Sequence, residues 1–234
     1  MLPSTKTLLG KSEKVIRDHL GEGKWVLGIC FGGQLAVHAV GGKIGRLPEG
    51  VTEAGWLDHE LILEGQKDVV FGHLPEKFYA SHFHNDFVSE LPEVGTKVNT
   101  ANGEIEVTEA KILAIRRGYK DKSGLKNEDV EYIMASVVKF NNGAKLYQIQ
   151  PHPEMSTNEK ASFLVRMNPW MARDSEMGQE YYDSALVVPE DADFSVAQVI
   201  PRFVESAKKH LEDSRGITFV KAVLVQNLFQ YLLK

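Results

Sequence analysis

One junction constrains this chain more than any other. Trp25-Val26-Leu27-Gly28-Ile29 is apolar and partly β-branched, and it is entered from Gly21-Glu22-Gly23. Such a run predicts a buried strand. Gln34-Leu35-Ala36-Val37-His38-Ala39-Val40 predicts a helix stopped by Gly41-Gly42. Between them stands Cys30, the only cysteine, framed by Gly28, Gly32 and Gly33. A strand that turns directly into a helix points to an α/β architecture. The N–H groups and dipole of an opening helix favour negative charge at that turn, and therefore a thiolate. Glycines permit the sharp turn and close approach of a substrate. A lone cysteine can equally be plain core packing, but the glycine frame favours a nucleophile.

The remaining composition sets limits. A chain of 234 residues predicts one large domain, or one domain with an extension. It is 43% hydrophobic and 25% charged, ordinary for a globular protein with a sizeable core. A net charge of −5 without a basic stripe argues against nucleic acid. One cysteine excludes an internal disulfide framework and suits a reducing, cytoplasmic compartment. The N-terminus lacks the basic-then-apolar order of a signal peptide. The apolar stretch 217–233 contains Lys221, Gln226, Asn227 and Gln230. It is a core- or partner-facing helix rather than a membrane span.

Along the chain, residues 12–20 predict a helix with Ser12 as N-cap and Gly21 as stop. After the Cys30 junction come strand-like segments at 56–63, 69–71, 77–80 and 111–115. Residues 118–129 are polar and predict an exposed loop. Residues 133–140 and 145–150, joined by Asn141-Asn142-Gly143, predict a hairpin. Helices are predicted at 158–167, 195–213 and 217–233. The expected division is a domain at 1–165 and a helical C-terminal extension at 166–234.

The hairpin delivers the chain to Gln150-Pro151-His152-Pro153-Glu154. The X-Pro bond imposes extended geometry at the strand end. Loops at strand ends are where α/β proteins place working groups. A histidine can take a thiol proton and return it to a leaving amine, and a carboxylate can orient its ring. The same residues could also be an exposed turn; it is the combination with Cys30 that carries weight.

Gly28-Ile29-Cys30-Phe31-Gly32-Gly33-Gln34 resembles the G-x-C-x-G-x-Q elbow of class I glutamine amidotransferases, and His152-Pro153-Glu154 resembles their H-P-E segment. Ser81-His82-Phe83-His84-Asn85-Asp86-Phe87-Val88-Ser89-Glu90-Leu91-Pro92 is similar to the S-H-x-D-x-V-x-x-L-P stretch of stand-alone, GMP-synthase-amidotransferase-like members. His84 takes the place of the usual histidine and Phe83 that of the usual serine. The resemblance spans residues 12–165. It implies a flavodoxin-like open sheet flanked by helices, without a cofactor. It implies a Cys-His-Glu triad in which Cys30 attacks a γ-glutamyl amide and forms a thioester, releasing ammonia. His152 is then base and acid, and Glu154 its orienting group. The Phe31 N–H becomes the oxyanion donor, and Gly28, Gln34, His84 and Asp86 line the substrate. His82 and His84 also have a spacing that suits a metal. With no cysteine or carboxylate cluster to complete such a site, none is expected.

The chain departs from the family in three ways. The separation of Cys30 and His152 is long, which 118–129 accounts for as an insertion. Family members carry two βα units before the nucleophile strand, whereas here one helix precedes it. An N-terminal truncation is therefore expected, with one of two oxyanion donors kept. Loss of one donor lowers rate about 10²–10³-fold, and an edge strand would lie open to pairing. Finally, the C-terminal extension is additional, and suits an oligomer contact or a synthase partner in trans. Three readings follow. One is a glutamine-hydrolysing amidotransferase-like enzyme. The second is a γ-glutamyl peptide hydrolase using the same triad. The third is a catalytically weak partner-binding module.

Overall fold

A computed structural model of the chain describes residues 5–48, 53–120, 126–155, 187, 189 and 194–215. In chain order these form α1 (Thr5–Gly21), β1 (Trp25–Ile29), α2 (Phe31–Ala39), β2 (Lys43–Arg46), β3 (Glu53–Leu61) and the single turn α3 (Leu63–Gln66). Then follow β4 (Lys77–His84), β5 (Asp86–Glu90), β6 (Lys97–Thr100), β7 (Gly103–Lys120), β8 (Lys126–Phe140) and β9 (Lys145–Ile149). Two 3-10 turns, Pro153–Met155 and Phe194–Gln198, precede α4 (Val199–Arg215).

The central path of the sheet runs β1-β9-β8-β7-β3-β4. The β1–β9 pair is parallel, and the other neighbours are antiparallel. β5 joins β8 through Val88 and Ile133, with β2 on its other side. Among the described strands the sheet is mixed, with helices on both sides of β1 and β9, and most of its pairings are antiparallel. The β6–β7, β7–β8 and β8–β9 connections each join antiparallel neighbours.

Strand alternation sends side chains to two cores. On one face Trp25, Leu27, Ile29, Tyr147 and Ile149 pack with Val196, Val199, Phe203 and Ala207. On the other, Val26 and Leu146 pack with Ile16 and Leu20 of α1 and with Leu35, Ala36 and Val37 of α2. Helices therefore cover both faces of β1 and β9, a three-layer α/β arrangement. All five β1 residues are buried, as the sequence requires of an apolar run without alternation. The Phe203 ring meets Tyr147 edge-on at 5.7 Å, and His210 stacks on Trp25 at 5.1 Å. The described part of the C-terminal region is thereby packed onto the sheet.

Several sequence expectations change. α1 begins at Thr5 rather than Ser12. The run before Ser12 is rich in good helix formers, and its one glycine, Gly10, faces open space. Residues 69–71 form a turn, not a strand, because Asp68 Oδ1 accepts from the Val70 and Phe71 N–H groups at 2.8 and 3.2 Å. The 111–115 strand is the centre of an 18-residue strand, so the expected loop at 118–129 is partly β7 and β8. The β6–β7 hairpin has no counterpart in the sequence reading. The expected Asn-Asn-Gly hairpin is present, with Gly143 at φ 84°. The expected 195–213 helix divides into a 3-10 turn and α4. The helices expected at 158–167 and 217–233, and the 165/166 boundary, lie outside the described residues. Among the described helices none is long and apolar enough to cross a membrane.

Candidate functional site

Cys30 lies where β1 gives way to α2, at φ 49° and ψ −119°. Among the described residues it is the one non-glycine with positive φ. An L-residue is held in that region only when its surroundings over-determine it. Here the Cys30 N–H donates to Ile149 O at 2.8 Å, while its carbonyl accepts from the Gln34 N–H at 3.0 Å. Strand β9 and helix α2 thus clamp the residue from either side. The glycines make the close approach feasible. A Cβ on Gly28 would lie 2.6 Å from Gly33 Cα, and one on Gly33 would lie 2.9 Å from Gly28 O.

The parallel β1–β9 pairing brings the second segment to this turn, since Ile29 lies opposite Ile149. Beyond β9 the chain is extended through Pro151, and the His152 N–H donates to Ser81 O at 2.8 Å. His152 Nδ1 is 2.7 Å from Glu154 Oε1, which leaves Nε2 for the hydrogen bond between this ring and the Cys30 sulfur. Burial pulls the His152 pKa down. The Cys30 sulfur and the Glu154 carboxylate outweigh it and raise the ring to about 10.

Cys30, His152 and Glu154 are thus brought together. Phe31 opens α2, so its N–H belongs to the first helical turn beside the sulfur. Gln34 is buried, and its amide nitrogen donates to Asp86 O at 2.5 Å and to Gln150 Oε1 at 3.1 Å. Asp86 offers its carbonyl here, and its carboxylate faces Arg46 at 3.3 Å. Gly28 packs against α2. Gln150 was missed as a site residue. It is fully buried, and its Nε2 reaches the Cys30 sulfur at 3.6 Å. A signal existed: Gln148 and Gln150 recur at strand spacing on an otherwise apolar strand.

Most of the segment 81–92 is strand. Phe83 O lies 3.9 Å from the Cys30 sulfur. His84, expected to line the substrate, has its ring in a second buried cluster. His82 Nδ1 is 2.8 Å from His84 Nε2, and His82 Nε2 is 2.6 Å from His59 Nε2. His84 Nε2 is 3.3 Å from Glu53 Oε2, and Arg116 Nη1 donates to Glu53 Oε1 at 2.7 Å. Burial pushes the Glu53 carboxyl up, yet the His84 ring and the Arg116 guanidinium hold it below the usual range. The expectation that no carboxylate stands by His82 and His84 is corrected here. Register places Glu53 opposite His84, some thirty residues away along the chain.

Comparison with known proteins points to the family that the Cys30 segment resembles. Residues 3–117 match the family model "Glutamine amidotransferase class-I". One of the subunits of the glutamine-hydrolyzing GMP synthase of Methanopyrus kandleri is 40% identical over 88 residues, 36% of this chain and 42% of that protein. The glutamine-hydrolyzing GMP synthase of Aeropyrum pernix is 27% identical over 202 residues, 85% of this chain and 28% of that protein. Anthranilate synthase component 2 of Lactococcus lactis is 35% identical over 104 residues, 43% of this chain and 50% of that protein. The chain thus spans between 28% and 50% of the length of these relatives. Two crystal structures share the fold. A glutamine amidotransferase from Thermotoga maritima has TM-score 0.51 at 16% identity, covering 86% of this chain and 70% of that one. A glutamine amido transferase from Methylobacillus flagellatus has TM-score 0.53 at 16% identity, covering 88% and 71%.

Proposed function

We propose that this chain, a relative of the class I glutamine amidotransferases, hydrolyses the side-chain amide of glutamine through a thioester on Cys30. The observation that carries the proposal is the Cys30–His152–Glu154 geometry at a strained strand-to-helix elbow. The Cys30 thiolate attacks the γ-carbonyl carbon, forming the C–S bond. The developing oxyanion is met by the Phe31 N–H at the head of α2. The C–N bond then breaks, and His152 gives its proton to the departing nitrogen, which leaves as ammonia. Water attacks the thioester and returns a proton to His152. The C–S bond breaks, glutamate leaves, and the thiolate–imidazolium pair is restored. Glu154 stabilises the imidazolium and keeps Nε2 aimed at sulfur. Gln150 and Gln34 place polar groups beside the sulfur and the β4–β5 turn. The Methanopyrus relative is one component of a larger synthase by its name, so the ammonia is proposed to pass to a synthase partner in trans.

The test is alkylation by a diazo-ketone glutamine analogue, followed by peptide mapping, alongside ammonia release from glutamine. The expected result is a single adduct on Cys30, abolished in Cys30→Ala, with ammonia release lost in Cys30→Ala and His152→Ala. Absence of both adduct and ammonia in the intact protein would overturn the proposal. Release of glutamate and a free amino acid from γ-glutamyl peptides, without ammonia from glutamine, would move the assignment to a peptide hydrolase.

A further inference from the structure

We propose that Glu53, His82 and His84 form a binding site for one divalent transition-metal ion, Zn2+ by the chemistry of its donors. The site lies on β3 and β4, and none of its three residues belongs to the Cys30–His152–Glu154 triad. Antiparallel register sets Glu53 opposite His84 and Gly55 opposite His82, so the three side chains share one face of the two-stranded unit. Gly55, opposite His82, has φ 88°.

The three donor atoms all lie within 4.8 Å of one another. The His82 Nδ1–His84 Nε2 and His84 Nε2–Glu53 Oε2 separations are 2.8 and 3.3 Å. Tetrahedral Zn2+ with bonds of about 2.0–2.1 Å sets neighbouring donors about 3.3 Å apart. Of the three separations one already has that value, a second needs to open by about 0.5 Å on the same geometry, and the third lies within 4.8 Å. The Glu53 and His84 side chains are 5% and 3% exposed, and His82 is fully buried. Glu53 Oε2 is buried and meets no geometrically ideal hydrogen-bond donor; its nearest ring nitrogen is His84 Nε2 at 3.3 Å.

The groups around the donors match the outer partners of a metal site. Arg116 takes Glu53 Oε1, which fixes the carboxylate and leaves Oε2 as the donor. With His82 bound through Nδ1, its Nε2–H points at His59 Nε2, 2.6 Å away. Such second contacts orient a ligating histidine and select its tautomer. Two imidazoles and one carboxylate select zinc or a neighbouring first-row ion over Ca2+ or Mg2+, which prefer all-oxygen ligands. Three protein ligands leave a fourth position for water. Buried positive charge on Arg116 opposes the ion, so the expected affinity is moderate.

β4 links this site to the elbow. The residues alternating with His82 and His84 are Ser81 and Phe83, whose carbonyls meet His152 N–H and the Cys30 sulfur. An ion that fixes one set of residues fixes the register of the other.

The experiment is Zn2+ titration by calorimetry, with metal content after dialysis and the visible spectrum of the Co2+ form. It is carried out on Cys30→Ala, which removes the thiol as a competing ligand. One equivalent bound, a tetrahedral Co2+ spectrum, and a Kd raised at least about tenfold by His84→Asn is the expected result. No binding by folded Cys30→Ala overturns the site. So does binding that His84→Asn and the double variant Glu53→Gln, Arg116→Met both leave unchanged. The double variant avoids stranding the Arg116 charge. Because the readout is metal binding, failure here leaves the alkylation of Cys30 untouched, and the converse holds.

Discussion

Replacing Gly28 by alanine tests the elbow directly. The new Cβ would lie 2.6 Å from Gly33 Cα, 2.8 Å from Gly32 O and 2.8 Å from Gly33 N. All three atoms are backbone, so no rotamer change can relieve the contact. Ordinary carbon contacts begin near 3.5 Å, so the first turn of α2 must retreat from β1 by about 1 Å. Retreat is resisted because Leu35, Ala36 and Val37 are already buried against the sheet. Overpacking of this kind costs about 1–3 kcal/mol. The same displacement moves Cys30 relative to His152, and a 1 Å misplacement lowers reaction rates by about 10²-fold. Urea unfolding reads the first effect, and the alkylation rate of Cys30 by the diazo-ketone analogue reads the second. Gly10→Ala is the internal control. It faces open space inside α1, so alanine there should stabilise by about 0.5–1 kcal/mol and leave alkylation alone. Wild-type stability and alkylation in Gly28→Ala would refute the proposed contact between strand and helix.

Two other outcomes are expected. Phe203 is fully buried against Trp25 and Tyr147, so Phe203→Ala should lose about 3–5 kcal/mol in urea unfolding; a loss under about 1 kcal/mol would mean that α4 is not docked. His152 is raised from 6.5 to about 10 in the folded chain. A raised pKa adds stability that is complete below about pH 6.5 and is lost as pH rises through about 10. Unfolding free energy should therefore fall over that window, and more steeply than in His152→Asn; parallel profiles would exclude a protonated His152.

The sequence showed what depends on neighbours along the chain. The buried β1 run, the glycine frame of Cys30 and the Asn-Asn-Gly turn all have local causes: burial on both faces, a positive φ, a tight turn. The β1–β9 pairing joined two motifs that each had an ordinary alternative. Less was visible where a distant partner decides. One local cause was also passed over: Val69-Val70-Phe71 has strand composition, yet the Asp68 carboxylate just before it captures two of its N–H groups. Ser81 to His84 carries two histidines in four residues and reads as polar. It is a buried strand because Glu53 and His59 supply partners from β3, with Arg116 of β7 holding Glu53 in place.

That failure has a physical pattern. Reading burial from hydrophobicity assumes that polar side chains prefer water, which holds unless a partner is present inside. Glu53, His59, His82, His84, Arg116, Ser136, Gln148 and Gln150 are all buried, and most find their partners across strand pairings. Their burial is a property of register, which no window of sequence contains. Register also couples them. On β4, Ser81 and Phe83 present carbonyls toward His152 and Cys30, while His82 and His84 join the Glu53 cluster. A one-residue slip of β4 exchanges its two faces. The histidines would then lose Glu53 at the same step at which His152 and Cys30 lose those carbonyls. The contacts of His82 with His59 and of His84 with Glu53 therefore oppose the slip that would disorder the Cys30 elbow.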